Sequence, residues 1–590
     1  MADQLAPPSL SSPFRQLRQL YARSKRDKDE LHERWRNFYR AVFEPVNNQW
    51  TTRLPVTTTL SRPRVNEIWP IVSSLTGFLT DQRPTLQVSP GVSNRESQLF
   101  TAASTLTEDL QNVLEYVLRM GKFELELEKQ FWDTLTYGTG FLKAVYDPDA
   151  DSGAGQAVVR RVDPWMMYVD PLADSGETAT FWMERRVLSR WQAAQFYGNE
   201  AADLPPGDID SFQRPSTTER SNLGRPPMAL AGNIEMQPTI WPNSATEVPS
   251  DWGADDIVTV IDAWWLDDGG WFYCPFGADR TLFAPRPATD LYEHGRHPYS
   301  RYVMQETGEF WGPSLVEYLM SPQSTFNDLL FHGVNNVRLG GDPIWLEDER
   351  AGTDRQRLVA RPGHRVKKQP GGEVGWLNPP DLPAATIPLL QMFVTEMERI
   401  SGLGGASRGQ TPTAGRPSQG TVEAAQESGL IRVRSALRNL EYQLAEVGNL
   451  LASIVTREYT GARMLEIIGP EGLPSILQLS EKHFYSSHAL AQLQPADADP
   501  SADPLARLSP RALEDTPLKF AVWVEAGSSL PASQDRRASQ AMAMFQMGAL
   551  DLEGLYRVLK LPGWQQTLAR INAAKAAGTF TPPAARGRPR

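Results

Sequence analysis

The longest helical pattern in the chain runs from about Thr421 to Tyr459. Its apolar residues recur at intervals of three, four or eight positions: Val422, Leu430, Val433, Leu437, Leu440, Leu444, Val447, Leu451 and Ile454. Each helical residue adds about 1.5 Å, so this helix is about 58 Å long. A helix of that length spans a domain or connects two domains, which excludes a single small core.

The total length and charge set further limits. A chain of 590 residues predicts two to four domains or layers, and 41% hydrophobic residues is typical of a folded protein. The formal net charge is −11. Because tight DNA binding depends on Lys and Arg neutralising phosphates, this acidic chain is a poor candidate for wrapping DNA. It is compatible with DNA that passes without sticking.

The number of cysteines and the length of the apolar runs indicate the cellular compartment in which the chain is expected. Cys274 is the only cysteine, which excludes an intrachain disulfide and a cysteine-based metal site. The first residues, MADQLAPPSLSSPF, lack the pattern of a signal peptide, and no apolar run reaches the length of about 18 residues that a membrane helix needs. We expect a soluble protein made in a reducing cytoplasm, with no membrane partner.

Helical and strand patterns alternate along the chain. Helical spacing covers residues 14–43, 62–80, 97–137, 189–198, 312–341 and 384–403. Short β-type runs separated by Asp-Pro and Gly turns fill much of 139–304, and further short runs follow residue 341. The Pro-rich stretch 201–250 has almost no periodicity and is interpreted as an extended loop or arm. The predicted fold class is therefore α+β.

The stretch GGASRGQTPTAGRPSQG, at 404–420, contains two imperfect enzyme motifs. Gly405 to Gly409 spells G-x-S-x-G, but a serine hydrolase needs a strand before this turn and a helix straight after it. Gly404 to Thr411 resembles a P-loop, but Gln410 stands where the phosphate-binding lysine belongs. We therefore expect a loop without catalytic residues and without a cofactor. A hydrolase or NTPase that uses Gly404 to Thr411 is the weaker alternative.

Two groups of residues could suggest a metal site. Asp147, Asp149 and Asp151 resemble the start of an EF-hand loop, but the twelfth position would be Val158 instead of a glutamate. We interpret them as a hairpin turn. His294 and His297 are three residues apart and could form a metal pair, but we interpret them as part of a surface loop. No metal is expected.

Residues 355–368 are a local exception in an acidic chain. They carry six cations and no acid: Arg355, Arg357, Arg361, Arg365, Lys367 and Lys368. A solvated hairpin and a surface that contacts a partner or DNA are both compatible with this composition.

The order of these parts resembles the portal proteins of tailed double-stranded DNA bacteriophages. An α/β region leads to a helix, a small β insertion, a second helix, a Gly/Ser loop, a very long helix and a helical end. Local stretches resemble that family too: RVNEIWPIVSSLTGFLTDQRP, YGTGFLKAVYDP, VDPWMMYVDP, GPSLVEYLMSPQSTFNDLL and VEAGSSLPASQDRRASQAMAMFQMGALD. The resemblance covers about residues 60–565.

The resemblance implies a division of the chain into named parts. These are an N-terminal helical arm (1–60), a wing (61–311), two stem helices (312–339 and 384–402), a clip (340–383), a tunnel loop (403–419), a long helix with the remainder of the wing (420–530), a helical crown (531–575) and a disordered tail (576–590). The role of the Pro-rich stretch 201–250 is not implied by it.

The resemblance also implies site residues. In the tunnel loop they are Arg408, Gln410, Thr411, Arg416, Ser418 and Gln419. In the clip they are the six cations of 355–368, facing partner proteins. In the stem they are Arg338, Glu396 and Arg399.

The implied function is that of a ring, expected to hold twelve copies, at one vertex of the capsid in the virion. It would conduct double-stranded DNA during packaging and ejection, after synthesis in the host bacterial cytoplasm. Implied partners are the large terminase, head-completion and neck or tail adaptor proteins, and the major capsid and scaffolding proteins. The alternative is a minor capsid or head-assembly protein without a DNA channel.

Overall fold

A computed structural model of the chain describes part of its sequence, and all structural statements concern that part. The described residues are 13–43, 63, 65–80, 86–91, 103–104, 106–205, 257–341, 344–348, 370, 374–377, 383–402, 419–468, 474–485, 517–524, 541–547 and 555. They form a mixture of helices and antiparallel sheets, which confirms the α+β class. No described helix has the length and apolar character needed to cross a membrane.

Eight helices carry labels here. They are α1 (Pro13–Phe43), α2 (Ile68–Thr80), α3 (Thr107–Met120), α4 (Phe123–Tyr137), α5 (Arg190–Tyr197), α6 (Leu315–Gly341), α7 (Thr386–Ser401) and α8 (Gln419–Glu458). The longest is α8, which confirms the long helix that the spacing of its apolar residues predicts. At the start of α5, Ser189 and Gln192 form a capping box, in which their side chains and backbone N–H groups exchange hydrogen bonds.

One helix prediction was wrong. The stretch 97–137 is not one helix, because α3 ends at Met120 and α4 begins at Phe123. Gly121 is a weak helix former, and Lys122 has a left-handed backbone with φ 50°. The apolar residues Leu110, Val113 and Val117 are buried on α3 as their spacing predicts.

The strands of the described residues form five antiparallel sheets. They are β1 (Leu86–Pro90), β2 (Thr139–Asp147), β3 (Gln156–Val162), β4 (Met167–Val169), β5 (Phe181–Ser189), β6 (Ile257–Asp267), β7 (Gly270–Phe276), β8 (Arg286–Pro287), β9 (Tyr299–Val303), β10 (Ile344–Glu347), β11 (Val374–Leu377), β12 (Arg463–Ile468), β13 (Pro474–Leu479) and β14 (Phe520–Val524). The two larger sheets have the orders β4-β5-β6-β7-β8 and β3-β2-β9. The three others are the pairs β1-β14, β10-β11 and β12-β13.

The chain divides into two compact units that are each built from separate stretches of sequence. The first unit comprises residues 1–33, 75–314 and 430–590. The second unit comprises residues 34–74 and 315–429. By residue number, the second unit contains the predicted clip and tunnel loop, and the predicted stem from Leu315 onward.

The core of the first unit lies around the five-stranded sheet. One buried cluster includes Phe141, Trp182, Trp264 and Tyr299, and a second includes Leu17 and Tyr21 of α1 with Phe276. Trp182 pairs with Trp264 across β5 and β6. Large aromatic side chains bury much apolar area for each ordered residue, so these clusters hold α1 and both larger sheets together.

The turn between β2 and β3 confirms the hairpin interpretation of Asp147 to Asp151. Asp147 accepts a hydrogen bond from the backbone N–H of Asp149 at 3.1 Å. Asp151, Gly153 and Gly155 have φ values of 52°, 89° and 77°, a left-handed backbone that suits a tight turn. Within the described ranges, no group of three or more metal-binding side chains is found.

Candidate functional site: a helix pair, a loop and a long helix

Two helices of the second unit pack against each other, and a small hairpin lies between them in the sequence. α6 and α7 are in contact, and β10 pairs with β11 between them, from Ile344 opposite Leu377 to Glu347 opposite Val374. α6 continues through Pro322, which has no backbone N–H to donate. The sequence predicted this order of helix, β insertion and helix.

The buried face of α6 carries amide side chains as well as apolar ones. Gln323 accepts a hydrogen bond from the backbone N–H of Glu67 at 2.9 Å and donates one to the carbonyl of Val65 at 2.8 Å. Both Gln323 and Asn327 are completely buried. Because a buried amide is costly unless it is paired, these contacts fix the segment that leads into α2 against α6.

The helix pair also leaves large apolar side chains exposed. Val337 on α6 is 67% exposed, and Ile387 and Met392 on α7 are 61% and 53% exposed. Tyr318 and Leu389 are exposed as well. Single exposed apolar residues are ordinary, but five on two packed helices are candidates for further contacts.

The three predicted stem residues all lie on this helix pair. Arg338 is in the last turn of α6 and is exposed. Glu396 and Arg399 are both exposed on α7, and Arg399 Nη1 lies 3.6 Å from Glu396 Oε2. An exposed pair at this spacing contributes little to stability.

The second half of α8 packs in the first unit, where a polar side chain of the helix hydrogen-bonds to the backbone of a strand. Asn449 donates to the carbonyl of Val522 at 2.9 Å and accepts from the N–H of Val522 at 2.9 Å, so it continues the hydrogen bonding of β14. Gly448 allows this approach, since a Cβ there would lie 2.6 Å from Val522 Cγ1. The helix and strand are therefore in direct contact.

Further bonds join α8 to β9 and the loop before it. Tyr302 donates to the carbonyl of Ala436 at 3.1 Å, and Asn439 donates to the carbonyl of Val303 at 3.3 Å. Glu446 accepts from Ser300 and lies 3.0 Å from Arg296 Nη2. The part of α8 from Ala436 to Asn449 is thus hydrogen-bonded to the rest of the first unit.

The predicted loop lies between the end of α7 and the start of α8. Gly402 caps α7 with a left-handed backbone, φ 76°, and α8 begins at Gln419. Arg408, Gln410, Thr411, Arg416 and Ser418 are outside the described residues, and so is the side chain of Gln419. The six clip cations of 355–368 are also outside them. The predicted roles of these residues remain predictions.

A buried cluster of charges, which the sequence analysis did not find, lies in the first unit. Glu184 of β5 is directly opposite Asp262 of β6. Lys143 Nζ is 2.6 Å from Glu184 Oε2 and 3.7 Å from Asp262 Oδ2. Arg186 Nη1 is 3.5 Å from Asp262 Oδ2. Side chains alternate between the two faces of a strand, so the sequence of β5 is enough to place Glu184 and Arg186 on one face. The position of Asp262 beside them depends on how β6 pairs with β5, which the local sequence does not determine.

Three tyrosines complete the cluster. Tyr197 and Tyr273 donate to Asp262 at 2.8 and 2.9 Å, and Tyr299 donates to Glu184 at 2.9 Å. Burial raises the pKa of each of these phenols well above its ordinary value, and the neighbouring carboxylates add to the rise. Two cations face two carboxylates in a core that is almost inaccessible to solvent. The cluster therefore pairs each buried charge with an opposite charge.

The interpretation of His294 and His297 as part of a surface loop was wrong for His297, while His294 lies half-buried in a turn. His297 is 5% exposed and stacks on Trp182 with ring centroids 4.5 Å apart. Burial lowers the pKa of His294 to about 3, and the pKa of His297 is also lowered well below its ordinary value, in both cases with a smaller effect from Arg296. Burial therefore keeps both imidazoles neutral, and among the described residues neither belongs to a group of three or more metal-binding side chains.

Comparisons with known proteins agree with the order of the helices. A family described as Phage P22-like portal protein matches residues 311–587 of the chain. The match begins just before α6 and includes the helix pair, the predicted loop and all of α8. No curated protein sequence matches the chain.

Proposed function

Because residues 311–587 match the phage P22-like portal protein family, we propose that this chain forms a ring at one vertex of a phage capsid. Twelve copies surround an axial channel, through which double-stranded DNA enters during packaging and leaves during ejection. The role is structural and non-enzymatic, and the large terminase supplies ATP hydrolysis. The chain is made in the host bacterial cytoplasm and becomes part of the virion.

The single observation that carries this proposal is the family match across α6, α7 and α8. The match covers a helix pair, a Gly-rich loop and a long helix in uninterrupted order. That part of the chain contains the segments that the proposal needs for a stem, a channel lining and its support. A match confined to the predicted wing would not support a stem or a channel lining.

The channel lining is assigned to residues 403–419. Gly402 ends α7 and Gln419 starts α8, so both ends of the loop are joined to helices. Each copy has a formal charge of −11, and a ring of such chains repels phosphates on average. Arg408 and Arg416 supply weak, salt-dependent contacts to the DNA backbone. DNA can then slide without being trapped.

Contacts between copies are assigned in part to the helix pair. Val337, Ile387 and Met392 are more than half exposed in the single chain. Each side chain of this size contributes about 1.5–3 kcal/mol when it is fully buried. Repetition of such contacts around a ring supports an assembly of many copies.

Docking of partner proteins is assigned to the clip cations of 355–368. The large terminase would bind there during packaging, and head-completion and neck or tail adaptor proteins afterwards. Changing Arg365, Lys367 and Lys368 to Gln should weaken docking of these proteins, with unchanged assembly of the ring. Changing the exposed cations Arg280, Arg438 and Lys519 to Gln is the matched control. Unchanged docking in the clip variant would contradict the assignment.

The mass of the purified chain tests the assembly. A single chain has a mass of 65.8 kDa. Light scattering should give twelve times that mass, in particles that contain no other protein. A mass of one chain would contradict the proposal. A large assembly without an axial pore would favour a minor capsid or head-assembly protein.

A further inference from the structure

The first half of α1 carries a face made of arginine. Arg15, Arg18, Arg23 and Arg26 are all exposed, and no acidic residue occurs between Pro13 and Arg26. At 100° per residue they lie within less than half of the helix circumference. Leu17, Tyr21, Ser24 and Lys28 occupy the opposite face and are buried. The four guanidinium groups therefore point away from the core of the first unit.

The buried face fixes α1 firmly. Lys28 Nζ donates to the carbonyls of Pro164 at 2.6 Å and Trp165 at 3.0 Å, and also to that of Met167. Ser24 donates to the carbonyl of Val169 at 2.7 Å. The rings of Tyr21 and Tyr168 are 4.7 Å apart. The arginine face is thus displayed by a helix that cannot turn without breaking these buried bonds.

The placement of these cations is not one that helix stability favours. Arg15 is in the first turn, where the helix dipole favours negative charge, and the first turn contains no acid. The acids of α1 begin at Asp27, so Arg15 and Arg18 have no acid three or four residues away to form the pairs that stabilise a solvated helix. None of the four arginines forms an ion pair with another residue among those described.

The residues between the arginines distinguish two kinds of anionic partner. Gln16, Gln19 and Ala22 are the other exposed residues of this face. A protein partner is usually bound around a central aromatic or aliphatic residue, and this face has none. A surface of Arg and Gln side chains with no apolar residue at its centre is typical of contacts to the phosphates and sugars of a nucleic acid. Guanidinium groups also match the geometry of phosphate oxygens better than ammonium groups do.

We propose that the face formed by Arg15, Arg18, Arg23 and Arg26 binds the phosphate backbone of duplex DNA without sequence preference. The face extends for about 16 Å along the helix, and duplex DNA carries a phosphate for about every 1.7 Å of its axis. All four cations can therefore reach phosphates at once. This site is separate from residues 403–419 and relies on the proposed function only for duplex DNA being present.

Fluorescence anisotropy with a short labelled duplex tests the proposal on the full-length chain, over about 50–200 mM NaCl. Changing all four arginines to Gln should weaken binding and make the slope of log affinity against log salt shallower by about 3 to 4 units, since each phosphate contact contributes about 0.9. Changing all four to Lys keeps the charge and should retain most of the slope. The matched control changes Arg280, Arg438 and Lys519, which are exposed cations elsewhere in the same unit, to Gln.

The possible outcomes separate this site from the channel. If the four-Gln variant and the native chain bind the duplex with the same salt slope, the proposal is overturned. If the variant loses binding of poly-glutamate but not of the duplex, the face belongs to an acidic protein and the proposal is again overturned. A further variant with Arg408→Gln and Arg416→Gln measures the channel loop alone, so failure of the loop assignment would leave the result for α1 intact. Circular dichroism and melting temperature confirm that each variant is folded.

Discussion

Lys143 Nζ and Glu184 Oε2 lie 2.6 Å apart in the core, and they belong to different sheets. Lys143 is on β2 of the three-stranded sheet, and Glu184 is on β5 of the five-stranded sheet. Asp262 and Arg186 join them through the contacts described above. A buried charge that loses its partner is strongly destabilising, because its desolvation is no longer compensated.

We therefore expect Lys143→Met to destabilise the first unit by about 3–5 kcal/mol. The substitution leaves Glu184 buried without its cation, while the apolar volume is nearly kept. Thermal unfolding followed by circular dichroism measures the effect, and Lys519→Met at an exposed position is the control. Adding Glu184→Gln to Lys143→Met should recover part of the loss, since no unpaired charge remains at that pair. Equal melting temperatures for Lys143→Met and the native chain would contradict this view of the cluster.

Acid should destabilise the protein through its buried histidines. Burial lowers the folded-state pKa of His294 to about 3 and that of His297 well below its ordinary value. As the pH falls below about 6.5, the unfolded chain binds protons that the folded chain does not. Stability is therefore complete above about pH 6.5 and decreases below it, by up to about 1.4 kcal/mol per pH unit for each histidine.

The variant His297→Phe tests that pH dependence. Phe keeps the stacking on Trp182 and removes one proton-binding group from the unfolded chain. Denaturant unfolding at several pH values between 4 and 7 should show a shallower loss of stability than in the native chain. His332→Phe, at an exposed position on α6, is the control and should leave the slope as it is. A native chain with constant stability from pH 7 to pH 4 would refute the prediction.

The exposed apolar residues of the helix pair should be needed for assembly. Val337→Asp or Ile387→Asp places a charge where a neighbouring copy would cover the surface, and burying it unpaired is costly. We expect at least about a tenfold loss of assembled rings at a given concentration, equivalent to about 1.4 kcal/mol, with a folded single chain. Sedimentation velocity measures the ring fraction. Leu172→Asp, on an exposed turn of the first unit, serves as the comparison.

Deletion of residues 406–417 tests the loop. The variant should assemble as the native chain does, because α7 and α8 keep their contacts, but packaging or retention of DNA should be impaired. An in vitro packaging assay measures the protected length of DNA. Loss of assembly, or packaging at the native level, would count against the channel-loop assignment.

The sequence predicted the helices of the candidate site well because they are long and periodic. α8 was expected at about 421–459 and is found at Gln419–Glu458. α7 was expected at 384–403 and is found at Thr386–Ser401. Hydrophobic residues that recur at helical spacing over many turns are a strong signal of a helix, because a strand would show a period of two.

Other features depended on contacts between distant residues. The break between α3 and α4 follows from the backbone at Lys122, whose side chain is compatible with a continuous helix. The burial of His297 follows from Trp182 and Trp271, which are far from it in sequence. The charge cluster requires the register of β5 against β6 and the approach of β2. None of these is encoded in local spacing, so sequence patterns alone could not predict them.

The position of residue 411 within the assembled particle tests the central claim most directly. Cys274 is the only cysteine and is buried, and burial raises the pKa of its thiol to about 12, so the native chain should resist thiol labels. Thr411→Cys labelled with gold should give electron-microscopy averages in which a ring of copies has gold around an open axial pore. Gold at the outer edge of the ring, or labelled particles that are single chains, would contradict the account.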